Sequence, residues 1–267
     1  RDMVFGGDGD DTLRDGIPFR IGDGSTGHGE IFSGGAGNDY IVDNGQTHMW
    51  GGSGNDTLDA SGNWYWSWWA RLYGGSGDDV IKGGVAADTL SGGDGDDAIT
   101  GGNGAEKIDG GAGEGSIVAL GGSDLIHRGD GNDIIWSGDH RDTVYGGEGD
   151  DTLRDGWTTK IGDGSAGHGE VFYGGAGNDH IVDKGQTHMW GGTGDDTLDA
   201  SGNWWRSWWA KLHGGDGDDV IKGGVGYDRL SGGAGNDWIN GGNRADKIYG
   251  GDGNDTLDGE RGHDDKV

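Results

Sequence analysis

Large aliphatic residues recur at fixed intervals along the chain, separated by short polar segments rich in glycine. From Gly74 onward the sequence reads GGSGDDVIK, GGVAADTLS, GGDGDDAIT, GGNGAEKID and GGAGEGSIV, and a second uninterrupted series starts at Gly214. The template is G-G-x-G-x-D-x-U-x, where U is a large aliphatic residue. Each x-U-x predicts a minimal strand with one inward-facing side chain. Isolated copies begin at Gly6, Gly34, Gly51, Gly174 and Gly191.

The other positions of the nonapeptide suit a turn that binds a hard cation. Glycine permits left-handed or crowded backbone, so carbonyl oxygens can converge, and the sixth-position Asp adds a carboxylate. Carbonyl and carboxylate oxygens are typical Ca²⁺ ligands. With two nonapeptides per turn of the coil, Asp79 stacks on Asp97 and Asp219 on Asp237. The predicted calcium ligands are Asp11, Asp39, Asp56, Asp79, Asp88, Asp97, Asp133, Asp151, Asp179, Asp196, Asp219, Asp228, Asp237 and Asp255.

Composition and charge exclude several classes of protein. The 267 residues include 68 Gly, one Pro and no Cys, so neither a disulfide framework nor a collagen repeat is possible. No apolar run approaches the ~20 residues that cross a bilayer. The net charge of −29 argues against nucleic acid as a partner. Because so acidic and weakly hydrophobic a chain would otherwise be disordered, we expect calcium to be part of the fold.

The nonapeptide resembles the repeat of the RTX (repeats-in-toxin) family of calcium-binding proteins. The resemblance implies a parallel β-roll with Ca²⁺ between successive turns. It also implies type I secretion from a Gram-negative bacterium, to the medium or the cell surface, and folding triggered by extracellular calcium. It implies no single activity, because such rolls accompany toxins, proteases, lipases, epimerases and adhesins. We therefore predict an all-β, right-handed parallel β-roll or β-solenoid.

A longer repeat overlies the short one. Residue n matches residue n + 140, which predicts two tandem homologous halves, 1–140 and 141–267. The chain starts in the middle of a nonapeptide, which suggests a fragment or a processed protein. Some copies depart from the template and make calcium doubtful at their levels: Gly115 replaces the ligand Asp, Glu106 lengthens it, and Ala86 and Ala87 alter one turn.

Each half carries a Trp-rich insertion, at residues 59–73 and 199–213. The rings could supply apolar burial that the thin repeat lacks, or form an exposed platform for sugar rings. Membrane insertion is a weaker alternative because the surroundings are acidic. The candidate ligand-binding residues are Trp64, Trp66, Trp68, Trp69, Trp204, Trp205, Trp208 and Trp209.

Two further insertions in each half place histidines near a glutamate. Such a cluster could hold a transition metal or act as an acid–base pair on a saccharide. Alternatively, these side chains hydrogen-bond the irregular corners of the coil. The candidate second site comprises His28, Glu30 and His48 with their counterparts His168, Glu170 and His188. No catalytic residue is assigned.

These observations favour a secreted calcium-binding module that contacts extracellular or cell-surface glycans through its Trp-rich insertions. The first alternative is a structural role, as a folding and secretion cassette or a spacer of a larger protein. The second is a polysaccharide-acting enzyme that uses the His/Glu insertions, although the sequence favours a role without catalysis. Ice binding is disfavoured, because the repeat contains no flat ladder of threonines.

Overall fold

The described part of the chain is built from strands and turns. The computed structural model describes residues 3–14, 28–62, 68–156, 168–202 and 209–259, and within them every regular element is a β-strand. No helix long and apolar enough to cross a membrane occurs in these segments. The chain forms two compact units, Arg1–Arg128 and Gly129–Val267, so the structural boundary precedes the boundary of the 140-residue repeat.

The strands alternate between six- to nine-residue and three- to five-residue lengths in most of the chain. Those of the first unit are β1 (Met3–Asp8), β2 (Thr12–Arg14), β3 (His28–Ala36), β4 (Tyr40–Val42), β5 (Gln46–Ser53), β6 (Thr57–Asp59), β7 (Ala70–Ser76), β8 (Val80–Lys82), β9 (Thr89–Asp94), β10 (Ala98–Gly102), β11 (Lys107–Ala112), β12 (Ser116–Leu120) and β13 (Leu125–Asp130), which begins in this unit.

The second unit repeats this alternation. Its strands are β14 (Ile134–Trp136), β15 (Thr143–Glu148), β16 (Thr152–Arg154), β17 (His168–Ala176), β18 (His180–Val182), β19 (Gln186–Thr193), β20 (Thr197–Asp199), β21 (Ala210–Asp216), β22 (Val220–Lys222), β23 (Arg229–Ala234), β24 (Trp238–Asn240), β25 (Lys247–Asp252) and β26 (Thr256–Asp258).

In each unit the odd-numbered strands form one parallel sheet and the even-numbered strands another. Equivalent positions of the repeat pair directly, for example Leu72 with Leu90 in the odd sheet and Ile81 with Ile99 in the even sheet. The aliphatic position of every strand faces inward and forms a ladder between the sheets. The predicted all-β parallel β-roll is confirmed. Buried members of this ladder include Phe32, Ile41, Met49, Leu58, Leu72, Ile81, Leu90 and Ile99 in the first unit and Phe172, Ile181, Met189, Leu198, Leu212, Ile221, Leu230 and Ile239 in the second.

The two sheets are joined by two different kinds of turn. Most turns that lead from an odd to an even strand keep the GGxGxD form, and we call the row of these odd-to-even turns the aspartate edge. Turns that lead from an even to an odd strand contain all the insertions, and we call their row the insertion edge. Along the aspartate edge, consecutive sixth-position residues are 28, 17, 23 and 18 residues apart from Asp11 to Asp97, yet their pairing is unbroken. Each insertion therefore lengthens a turn of the insertion edge and leaves the pairing along the aspartate edge unchanged.

Candidate functional site

The sixth-position aspartates form a ladder along the aspartate edge. The N–H of Asp56 donates to Oδ1 of Asp79 at 2.7 Å, and the N–H of Asp79 donates to Oδ1 of Asp97 at 2.8 Å. The same bond links Asp196 to Asp219 and Asp219 to Asp237 in the second unit. One oxygen of each carboxylate thus fixes the side chain against the neighbouring turn.

The other oxygen of these carboxylates is buried without a hydrogen bond. A buried acceptor with no partner is costly, and a buried charge is more so. A row of such oxygens is therefore the arrangement expected of a cation-binding edge. Within the described segments, Oδ2 lacks a hydrogen-bond partner in Asp11, Asp39, Asp56, Asp79, Asp97, Asp179, Asp196, Asp219 and Asp237.

Glycine at the first motif position lets the Asp carboxylate lie close against the backbone of the turn. A Cβ on Gly74 would collide with Oδ2 of Asp79 and lie 2.7 Å from the carbonyl oxygen of Gly92. Oxygens from two successive turns therefore border the same small space. In the described residues no three His, Cys, Asp or Glu side chains form a metal cluster, so carbonyl oxygens would have to complete the ligand set. Mixed carboxylate and carbonyl oxygens fit Ca²⁺.

Burial and mutual repulsion disfavour the ionised form of the ladder when no cation is present. Burial raises the pKa of Asp79 from 3.8 to about 7. The hydrogen bond from the Asp56 N–H lowers it in part, and the charges of Asp56 and Asp97 raise it again. The pKa of Asp219 rises to about 7 for the same reasons. A bound divalent cation would reverse this balance, because it stabilises the charged carboxylates.

A second polar ladder, which the sequence analysis missed, lies beside the first. The N–H of Asn38 donates to Oδ1 of Asp10 at 2.7 Å, and the N–H of Asp96 donates to Oδ1 of Asp78 at 3.0 Å. These exposed fifth-position side chains each satisfy the backbone of the following turn. The signal was present in the sequence, because every described turn of the aspartate edge carries Asp, Asn or Glu at position five.

Two of the predicted calcium ligands lie on the insertion edge and have different surroundings. Oδ1 of Asp88 accepts the N–H of Ala70 at 2.6 Å, and its Oδ2 accepts the N–H of Gly84 at 2.7 Å. Asp228 makes the equivalent pair of bonds with Ala210 and Gly224. Both oxygens of these carboxylates therefore hold backbone groups of the coil. The other predicted ligands, Asp11, Asp39, Asp56, Asp79, Asp97, Asp133, Asp151, Asp179, Asp196, Asp219, Asp237 and Asp255, belong to the aspartate edge.

The insertion edge also holds buried glutamates. Burial, followed by repulsion from Asp124, raises the pKa of Glu106 to about 10. Burial likewise raises the pKa of Glu170 to about 10, with contributions from Asp183 and Asp155. Both side chains are therefore acidic groups buried inside the coil.

The His/Glu candidates are not brought together. Glu30 pairs in register with Thr47, whose side chain is buried, whereas His48 lies one position further along β5 and is half-exposed. Successive residues of a strand face opposite sides of the sheet, so Glu30 faces inward and His48 outward. Glu170 and His188 are related in the same way. The side chains of His28 and His168 lie outside the described part of the chain.

His48 instead belongs to an aromatic face on the outside of the odd sheet. In the first unit Trp50 stacks on Tyr73 with ring centroids 5.7 Å apart, and His48 contacts both Trp50 and Trp69. The Arg71 guanidinium lies 4.5 Å from the centroid of the Trp69 ring. We call this set, His48, Trp50, Trp69, Arg71 and Tyr73, the first aromatic face.

The second unit carries a corresponding second aromatic face. Tyr145, Tyr173 and Trp190 form a continuous stack with centroid spacings of 4.8 Å. His188 lies 5.0 Å from Trp209, and the Lys211 ammonium lies 5.5 Å from the centre of the Trp190 ring. The second aromatic face consists of Tyr145, Tyr173, His188, Trp190, Trp209 and Lys211.

Only part of the two Trp-rich insertions is described. Trp68 and Trp69 are half-buried, and Trp209 is 36% exposed. Trp69 and Trp209 occupy equivalent places, each against the histidine of its aromatic face. The remaining candidates lie outside the described residues: Trp64, Trp66, Trp204, Trp205 and Trp208.

A comparison with protein families identifies the family to which this repeat belongs. The family described as RTX calcium-binding nonapeptide repeat (4 copies) matches most of the chain, at residues 1–16, 25–58, 48–63, 71–99, 83–117, 118–153, 166–182, 185–203, 213–243 and 231–265. The chain belongs to the RTX calcium-binding nonapeptide repeat family. Ca²⁺ is therefore its cofactor, and RTX repeats are typical of secreted proteins.

One solved structure has a similar fold. A hyperactive, Ca²⁺-dependent, β-helical antifreeze protein from an Antarctic bacterium matches 97% of this chain and 83% of its own, with a TM-score of 0.51. The two sequences are 19% identical, so the likeness concerns the fold. No curated protein matches the chain significantly in sequence.

Proposed function

We propose that this RTX chain is a secreted, calcium-folded binding module whose aromatic faces contact carbohydrate outside a Gram-negative cell or on its surface. The observation that carries the proposal is the repeated aromatic face on the odd sheet of each unit. Exposed apolar clusters of this kind are uncommon on soluble proteins unless they bind something. Each face lies next to a Trp-rich insertion, as Trp69 and Trp209 demonstrate.

The geometry of the first aromatic face suits a ligand with flat apolar surfaces and hydroxyl groups. Within a stack the rings cover one another, so free ring faces remain at its ends. Trp50 is 38% exposed and pairs in register with Ser33 on one side, while Tyr73 pairs with Ser91 on the other. Small hydroxyl side chains therefore flank both terminal rings. A sugar ring can stack there and form hydrogen bonds at its edge.

The second aromatic face continues into an open groove. The groove has a volume of about 460 Å³ and lies beyond Trp190, where His213, Asp216 and Asp252 supply polar groups. Small residues, chiefly glycines, form its floor. The groove thus offers one large aromatic ring with polar groups beside it, which suits the stacking of a single sugar ring. The net charge of −29 favours a neutral glycan over a phosphate-rich polymer.

A structural role as a folding and secretion cassette is the second candidate. It is favoured by the half-buried position of Trp69, which packs against His48 and beneath Arg71. Such contacts stabilise the coil whether or not a ligand is bound. On this alternative the aromatic faces only compensate for the thin core.

Substitution of one ring in each aromatic face should separate these roles. We expect Trp50→Ala with Trp190→Ala to weaken binding to a glycan array roughly tenfold or more, because ring stacking carries the contact. Calcium-dependent folding, followed by circular dichroism, should persist. Trp238→Ala is the matched control, since Trp238 is 37% exposed on the even sheet and should leave binding unchanged.

The alternatives give different results in the same experiment. A wild-type chain that binds no glycan in calcium would contradict the carbohydrate proposal and support the cassette. Loss of the folded circular dichroism spectrum in the double variant, at saturating calcium, would show that these rings stabilise the fold. That result would also support the cassette.

A further inference from the structure

One level of the aspartate edge departs from the motif at two positions at once. Gly115 stands where the sixth-position Asp is expected, and Arg128 stands where the first glycine of the next repeat on this edge is expected. Arg128 is only 1% exposed, which makes it the largest fully buried side chain in the described residues. A guanidinium cannot lose its charge in a protein, so this position buries a permanent cation.

The guanidinium occupies the space that the carboxylate occupies at other levels. Beside Gly92, a Cβ would collide with Oδ2 of Asp97; beside Gly110, one repeat further along the same edge, it would lie 2.5 Å from Nη1 of Arg128. A Cβ on Gly115 would collide with Nη2 of Arg128. The two departures are therefore coupled, because the arginine fits only when residue 115 has no side chain.

The arginine also makes contacts that a bound cation would make at this edge. Its Nη2 donates to the carbonyl oxygen of Gly113 at 3.0 Å. Its charge also acts on a carboxylate of the ladder: burial raises the pKa of Asp97, and the Arg128 charge is among the influences that lower it. A chain-supplied cation thus faces both a backbone carbonyl and a ladder carboxylate.

We propose that Arg128 replaces calcium at the Gly115 level of the aspartate edge. This level has lost its carboxylate ligand and has gained a cation of its own, so it does not fit Ca²⁺. The positive charge of Arg128 is present at this level at any calcium concentration. The levels whose Asp Oδ2 is buried without a hydrogen bond require the metal instead. The inference concerns the metal content of the coil and stands apart from carbohydrate binding.

Restoring the motif at this level should create calcium binding. We expect Arg128→Gly with Gly115→Asp to bind at least one more Ca²⁺ per chain than the wild type, measured by equilibrium dialysis of the full chain with ⁴⁵Ca²⁺. The control is Arg229→Gly with Tyr249→Asp, which changes the charge equally at exposed positions outside the turns of the aspartate edge and should leave the stoichiometry unchanged. A folded restored variant with wild-type stoichiometry would overturn the proposal.

The converse experiment decides the matter if the restored variant does not fold. Asp219→Gly removes a ladder carboxylate, and adding Gly232→Arg recreates the relation between Gly115 and Arg128. We expect Asp219→Gly to raise the calcium concentration at the folding midpoint. The added arginine should lower that midpoint again by about twofold or more without restoring the lost Ca²⁺. A double variant that folds no more readily than Asp219→Gly would contradict the proposal.

Discussion

Removal of calcium should unfold most of this chain. The coil aligns carboxylates such as Asp56, Asp79 and Asp97 on one edge, each with a buried oxygen that lacks a hydrogen bond. Without a cation these groups either repel one another or must take up protons. The core contributes little to oppose this, since each strand buries one large aliphatic side chain and the net charge is −29. Metal binding and folding are therefore coupled.

Circular dichroism and small-angle scattering during a titration with a chelator provide the measurement. We expect most of the β-sheet signal to disappear, the radius of gyration to increase, and both to return cooperatively when Ca²⁺ is added. Mg²⁺ is the control, because it prefers a smaller octahedral site and retains its water, so it should restore little structure. A compact, folded chain in excess chelator would contradict the coupling.

Acid should partly replace calcium. Burial raises the pKa of Asp56 to about 6, of Asp219 to about 7 and of Asp179 to about 8, each from 3.8. Between roughly pH 4 and pH 8 the calcium-free folded chain thus binds more protons than the unfolded chain, so its stability falls as the pH rises. Lowering the pH from 8 to about 5 in chelator should therefore increase the folded fraction. In calcium the trend should reverse, since protons displace the metal.

Neutral variants test whether the ladder carboxylates cause this pH dependence. Asp179→Asn with Asp219→Asn should resemble protonation and raise the stability of the calcium-free chain at pH 8. Asp10→Asn is the control, because that side chain is exposed in the outer ladder. The measurement is thermal unfolding in chelator across the pH range. Calcium-free stability that rises with pH would show that the buried carboxylates do not control it.

The repeat itself predicted the fold because one pattern determines both strand and core. In each nonapeptide the single aliphatic residue must face inward, so Ile81 and Ile99 pair as their spacing requires. Even the departures Met49 and Met189 are buried where an aliphatic residue is expected. The insertions did not obscure the register, because they all lie in turns of one edge.

A single template could not distinguish the two edges. Written as G-G-x-G-x-D, it places Asp79 and Asp88 in one class, although both oxygens of Asp88 hold backbone N–H groups and one oxygen of Asp79 does not. Reading alternate repeats separately would have shown the difference at position five, which is Asp78 in one turn and Ala87 in the next. The relation between Gly115 and Arg128 requires coordinates, because it links neighbouring turns of the coil.

The candidate sites outside the repeat were harder to predict for a similar reason. Proximity in sequence suggested that Glu30 and His48 act together, but their positions on paired strands direct them to opposite sides of the sheet. The aromatic faces were missed because Trp50 and Tyr73 are far apart in sequence and meet only through strand pairing. The available signal was that the last residue of each repeat faces outward, and that Trp50 and Tyr73 both occupy this position.

Anomalous scattering from crystals grown in calcium tests the central claim most directly. We expect a row of calcium peaks along the aspartate edge, next to Oδ2 of Asp39, Asp56 and Asp79 in the first unit and of Asp179, Asp196 and Asp219 in the second. We expect no calcium peak beside Gly115, where the Arg128 guanidinium should be found. A folded chain without peaks at these aspartates, or with calcium in the place of that guanidinium, would contradict it.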